Sequence, residues 1–172
     1  MGRDICAGFC ENNAESPNLC LFVMTSLPIQ DLPPQLASPV ERLWRQWLDQ
    51  AASADIDPPV ETDFLRELAR VWACSEFVAK TCIQEPALLM ELYSSGDLAR
   101  PYPSNYYDKH LAEELVDVDS DVTLGRALRR FRRREMVRIA WRDLSGKSDV
   151  AEPLEETSAL ADACIRSALQ SV

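Results

Sequence analysis

Glycine is scarce in this chain, with five in 172 residues. That scarcity disfavours glycine-rich phosphate loops and tight hairpins. No run of about 18 apolar residues occurs, so nothing in the sequence is expected to span a bilayer. The one apolar burst near the start, Leu19–Met24, follows Glu11 and Glu15 rather than basic residues, which excludes a signal-peptide pattern. Position 6 is Cys6, not Ser or Thr, so Met1-Gly2 does not open a myristoylation signal. The expected compartment is the cytoplasm. Histidine occurs once, at His110, and the cysteines (Cys6, Cys10, Cys20, Cys74, Cys82, Cys164) form no CxxC pair, so a zinc site is not expected. Cys74 and Cys82 lie in apolar stretches and are expected as reduced core thiols. Basic residues are the minority, 18 against 28 acidic, for a net charge of -10. Such a field repels phosphate and argues against a general nucleic-acid or anionic-membrane binder. No alternating Val/Ile/Thr run bounded by turns predicts a strand.

What is present is enough apolar material for a core: 47% of residues are hydrophobic and 27% charged. The pattern predicts one all-α domain, an irregular bundle of about six or seven helices, over 38–172. Residues 1–37 hold Pro17, Pro28, Pro33 and Pro34 with no sustained periodicity, and read as a disordered leader. Residues 1–23 of it, before Met24, read as an over-extended start. Ser38-Pro39 with Glu41 predicts a capped helix over 39–53, on which Val40, Leu43, Trp44, Trp47, Leu48 and Ala51 form one face. Further helices are expected from Thr62 through Trp72, from Ser75 to before Pro86, over 87–94, over 107–115, over 122–144 and over 154–169. Leu160, Ala161, Ala163, Cys164, Ala168 and Leu169 of the last are expected to point inward.

Two short motifs invite chemistry and fail its requirements. Gly146-Lys147-Ser148 resembles the end of a phosphate loop, but position 141 is Trp141 and no strand precedes it. A helix C-cap explains it. Asp117, Asp119 and Asp121 alternate like a calcium loop, yet the sixth position is Val122 and the twelfth Leu128. An acidic linker facing the positive end of the next helix explains these.

The informative segment is 124–142. It carries eight arginines and one acid, Glu135, so it is +7 within a chain of -10 and leaves -17 on the rest. At 100° per residue, Leu124, Leu128 and Phe131 share one face, while Val137, Ala140, Trp141 and Leu144 fall roughly opposite. The second half should therefore touch neighbours on more than one side. Arg134, Arg138 and Arg142 recur every four residues on the face that Phe131 begins, with Arg130 one turn earlier. Burying an unpaired charge costs several kcal/mol. These four arginines should thus be structural, paired with carboxylates of neighbouring helices, or else fork onto an anionic ligand such as a phosphate. No catalytic residue and no metal ligand is identified.

The stretch LRRFRRREMVRIAWRDL, residues 128–144, resembles a helix of the glutamate-ammonia ligase (glutamine synthetase) adenylyltransferase family. Its LRxFRxRxMVRIAW pattern is met by Leu128, Arg129, Phe131, Arg132, Arg134, Met136, Val137, Arg138, Ile139, Ala140 and Trp141. Ser75-Glu76-Phe77-Val78 followed by Pro86, Leu88, Leu89 and Leu92, and the stretch Ser158–Ile165, agree with it as well. The resemblance covers about 39–172 and implies the helical lead-in to the adenylyl-removing half of a bifunctional enzyme. Full-length members carry GxGKLGG and SDxD motifs that serve ATP and magnesium; neither motif occurs in these 172 residues. The resemblance therefore implies a truncated or split product, inactive alone, whose partners are the missing nucleotidyltransferase portion and glutamine synthetase. A helical module that docks by itself, through its acidic surface, on glutamine synthetase or a PII-type signalling protein is the alternative; Trp44 and Trp47 would then be an exposed anchor rather than core.

Overall fold

A computed structural model describes residues 26–103, 105–116 and 118–170. Among them are one 3-10 turn, Ile29–Asp31, and seven α-helices. The helices are α1 (Pro34–Ser53), α2 (Thr62–Cys74), α3 (Glu76–Gln84), α4 (Pro86–Ser95), α5 (Tyr106–Glu114), α6 (Asp121–Leu144) and α7 (Ala151–Gln170). No strand occurs among the described residues, so the all-α expectation holds.

The start of the fold differs from the sequence reading. Helix α1 begins at Pro34, with Pro39 inside it, rather than at Pro39 with Ser38 as its cap. A proline lacks the N–H that would reach the carbonyl four residues back. Here that carbonyl belongs to exposed Gln35, where water can satisfy it. Pro34 takes the first-turn role assigned to Pro39, and Leu27, placed in the leader, is buried in the core. The expected start before Met24 lies outside the described residues.

Two apolar clusters share α6. The larger joins Trp44 and Trp47 of α1, Leu68 and Trp72 of α2, Val78 and Cys82 of α3, Leu89 and Leu92 of α4, and Val137 and Trp141 of α6. Trp44 and Trp47 stack with ring centroids 4.9 Å apart and are 2% and 0% exposed, so they are core and not a docking anchor. The smaller cluster joins Tyr107 and Leu111 of α5, Phe131 and Ile139 of α6, and Leu160 and Ala163 of α7. Helix α6 thus contacts apolar neighbours on two sides, as its drifting stripe requires.

Helix ends follow local chemistry. Ser120 and Thr123 form a reciprocal capping box at the start of α6. At its end Gly146 adopts φ 72°, the Lys147 N–H donates to the Arg142 carbonyl at 2.8 Å, and the Gly146 N–H to that of Asp143 at 3.1 Å. This Schellman cap is the role of the Gly146-Lys147 motif. Asp149 accepts from the Ala151 and Glu152 amides at 3.0 and 2.9 Å, which starts α7 three residues before Leu154.

Two apolar expectations fail at the surface, and one further apolar side chain, Phe77, is exposed there. Cys74 is exposed because it is the last residue of α2, beyond the packed turns, whereas Cys82 is buried and burial pushes its thiol up to about 12. Phe77 stands exposed on the first turn of α3. On α7 only Leu160 and Ala163 of the inward set are fully buried; Ala161 and Leu169 face out, because α5 and α6 cover one side of that helix alone.

Candidate functional site: a buried arginine ladder

The second half of α6 turns Arg134, Arg138 and Arg142 toward the loop after α4 and toward α7. Spacing of four residues stacks them one turn apart. Arg134 donates through Nε to Glu91 Oε1 at 2.6 Å and through Nη2 to Asp97 Oδ2 at 2.6 Å. Its Nη1 donates to Glu135 Oε1 and reaches the Tyr102 hydroxyl at 3.4 Å. Arg138, wholly buried, donates to Glu156 Oε2 at 2.7 Å, to the Asp97 carbonyl at 3.1 Å and to the Arg100 carbonyl at 2.6 Å. Its guanidinium lies 3.3 Å from the centroid of the Tyr102 ring, a desolvated cation–π contact. Arg142 donates to Glu152 Oε1 at 2.7 Å and to the Lys147 carbonyl at 3.0 Å.

Arg130 does not join this ladder. It is exposed, and Glu85 and Glu91 each approach it only to 3.9 Å. The four sequence candidates therefore split into two buried rungs, one partly buried rung (Arg134) and one surface residue. Among the rungs, protein carboxylates and carbonyls take up most of the guanidinium donors; only Arg142 Nη1 lacks a partner. The fork geometry of arginine, planar with several fixed donors, suits these multiple contacts where lysine would not.

Glu135, Asp97 and Glu156 were not singled out in the sequence. The acids of α7 stand among many others, and only the fold shows which of them reach α6. Glu135 carried one signal: it is the single acid inside an arginine run. Burial pushes its carboxyl up to about 7, partly offset by Arg134 and Arg138, and its Oε2 has no hydrogen-bond partner. Burial also acts on Asp97, but hydrogen bonds from Arg134 and Arg100 outweigh it and hold that carboxyl well below the usual carboxylate range. Burial raises the Tyr102 and Tyr107 hydroxyls, so both stay protonated.

Such a network orients elements. It ties the loop carrying Asp97 and Tyr102, helix α6 and helix α7 into one arrangement through charge-assisted bonds. The magnesium that the family resemblance implies finds no fitting donor set among the described residues. Among the described residues no three His, Cys, Asp or Glu side chains group to hold a metal ion, and the buried carboxylates already face guanidinium groups. No described helix is long and apolar enough to cross a membrane.

The family model for glutamate-ammonia ligase adenylyltransferase matches residues 65–172. A bifunctional glutamine synthetase adenylyltransferase/adenylyl-removing enzyme of Nitrosococcus oceani is 41% identical over 141 residues, which is 82% of this chain and 15% of that protein. The protein of the same description from Thioalkalivibrio sulfidiphilus is 39% identical over 147 residues, 83% of this chain and 15% of its own length. The Pseudomonas aeruginosa counterpart is 42% identical over 118 residues, 69% and 12% respectively. The chain thus spans 12–15% of the length of these relatives.

Proposed function

Because this chain belongs to the glutamate-ammonia ligase adenylyltransferase family, we propose that it is a helical scaffold of the cytoplasmic enzyme that adds adenylyl groups to glutamine synthetase and removes them. It corresponds to the helical lead-in to the adenylyl-removing half, and the nucleotidyltransferase portion of the family performs the chemistry. Glutamine synthetase is the target of the whole machine, and ATP and magnesium belong to the portion that carries GxGKLGG and SDxD. The observation that carries this reading is the 41% identity to the Nitrosococcus oceani relative across 82% of the chain.

The geometry suits a scaffold. The arginine ladder is turned inward and neutralised, so it braces α6 and is not itself a contact surface. The outward side of α7, with Leu154, Ile165 and Leu169 exposed, is the surface we assign to packing against the nucleotidyltransferase portion.

A chimaera tests the reading. The matching segment of the Nitrosococcus oceani relative is replaced by this chain, and AMP release from adenylylated glutamine synthetase is followed with magnesium and phosphate. The expected result is a chimaera that releases AMP while the 172-residue chain alone does not. A folded but inactive chimaera would overturn the scaffold reading, and turnover by the chain alone would overturn its inactivity.

A further inference from the structure

The first half of α6 carries a second set of arginines that the ladder does not use. Arg126, Arg129, Arg130, Arg132 and Arg133 are all exposed. At 100° per residue, all but Arg132 fall within about 100° of arc, along about 10 Å of helix axis. No acid lies on the helix between Val122 and Arg134. Two of the five have long ion pairs at the edge of the face: Glu85 is 3.6 Å from Arg133, and Glu85 and Glu91 are each 3.9 Å from Arg130. Arg126, Arg129 and Arg132 form no ion pair among the described residues. Gly125 leaves room for Arg129 to lie against the helix, since a Cβ there would meet its Nη1 at 3.2 Å.

We propose that this exposed arginine face is a docking surface for a cluster of Asp and Glu side chains on a partner protein. Charge complementarity sets the occupant. A nucleic acid presents phosphates far beyond a 10 Å patch and would lie against the -17 carried by the rest of the chain. A single small anion needs a buried polar cradle, and all five of these side chains lie at the surface. A protein presents a local acidic cluster that matches the patch and avoids the surrounding field. The proposal is independent of the family role, because it rests on the surface charge alone.

The test is fluorescence anisotropy of the full chain with a labelled glutamate-rich peptide and with a single-stranded oligonucleotide of equal charge. The expected result is saturable peptide binding that weakens by about tenfold or more between roughly 50 and 200 mM salt. Arg126→Glu, Arg129→Glu and Arg133→Glu combined should cost at least about tenfold more, with the far-UV spectrum and unfolding midpoint unchanged. Absence of peptide binding, or equal binding by the charge-reversed chain, overturns the proposal. Tighter binding of the oligonucleotide also overturns it, in favour of nucleic acid. Salt-sensitive self-association without peptide binding overturns it in favour of a second copy of the chain.

Discussion

The two halves of α6 place the same side chain in opposite physical situations. Arg126, Arg129, Arg130, Arg132 and Arg133 stand in water, where an ion pair contributes at most about 1 kcal/mol. Arg138 and Arg142 are 0% and 1% exposed, and the Arg134 side chain, partly buried, is 14% exposed. In that second half a guanidinium without its carboxylate would cost several kcal/mol. The same residue type is thus a tunable surface charge on one end of a helix and an obligatory structural part on the other. The difference comes from what packs against each half. The loop after α4 and helix α7 close over the second half, and among the described residues nothing buries the arginine side of the first.

The contrast can be broken most severely at Arg138. Replacing it by Ala strands Glu156 and frees the Asp97 and Arg100 carbonyls. The expected loss is about 3–5 kcal/mol in denaturant unfolding. Arg138→Leu combined with Glu156→Leu should recover most of that loss, since two apolar groups leave no stranded charge. If the double variant stays as unstable as the single one, the pairing account fails.

Acidity provides the next effect. Glu135 has its carboxyl raised to about 7 by burial, so the folded chain binds a proton that the unfolded chain releases from about pH 4.5 upward. Its contribution to stability is therefore full below about pH 4.5 and is lost as pH rises through about 7. The expected decline across that window is on the order of 2 kcal/mol, and Glu135→Gln should flatten it. Asp97 runs the other way: its depressed carboxyl stabilises the fold above the usual carboxylate range and that support is lost only in strong acid. A wild-type profile that rises from pH 5 to 7 would contradict the assignment to Glu135.

Smaller effects sharpen the first half. Ser120→Ala removes the oxygen that accepts from the Thr123 amide and should cost about 1 kcal/mol of thermal stability. Arg126→Gln, with no ion pair to lose, should change the unfolding midpoint by less than about 0.5 kcal/mol equivalent. A loss near that of Arg138→Ala would mean that the first half is also structural.

Much of the fold was legible because helix signals are local. Amphipathic spacing, the Pro86 punctuation and the Gly146 cap placed most elements within a few residues. Errors arose where two local signals competed. Ser38-Pro39 looked like a helix start, but Pro34 offered an earlier one and an exposed Gln35 carbonyl made the internal proline tolerable. The arginine face was legible from its period of four residues. Its partners were not, because Asp97, Glu152 and Glu156 are distant in sequence or one acid among many, and pairing depends on how α4, α6 and α7 are brought together.

Sequence alone determined the helical class, the family and the anomalous concentration of guanidinium charge, since periodicity, motif and composition are properties of the chain itself. Tertiary structure decided which arginines are buried, which carboxylates neutralise them and which are left to meet a partner. The reason is desolvation: the energy of a charge depends on the groups that exclude water from it, and those groups come from elsewhere in the chain.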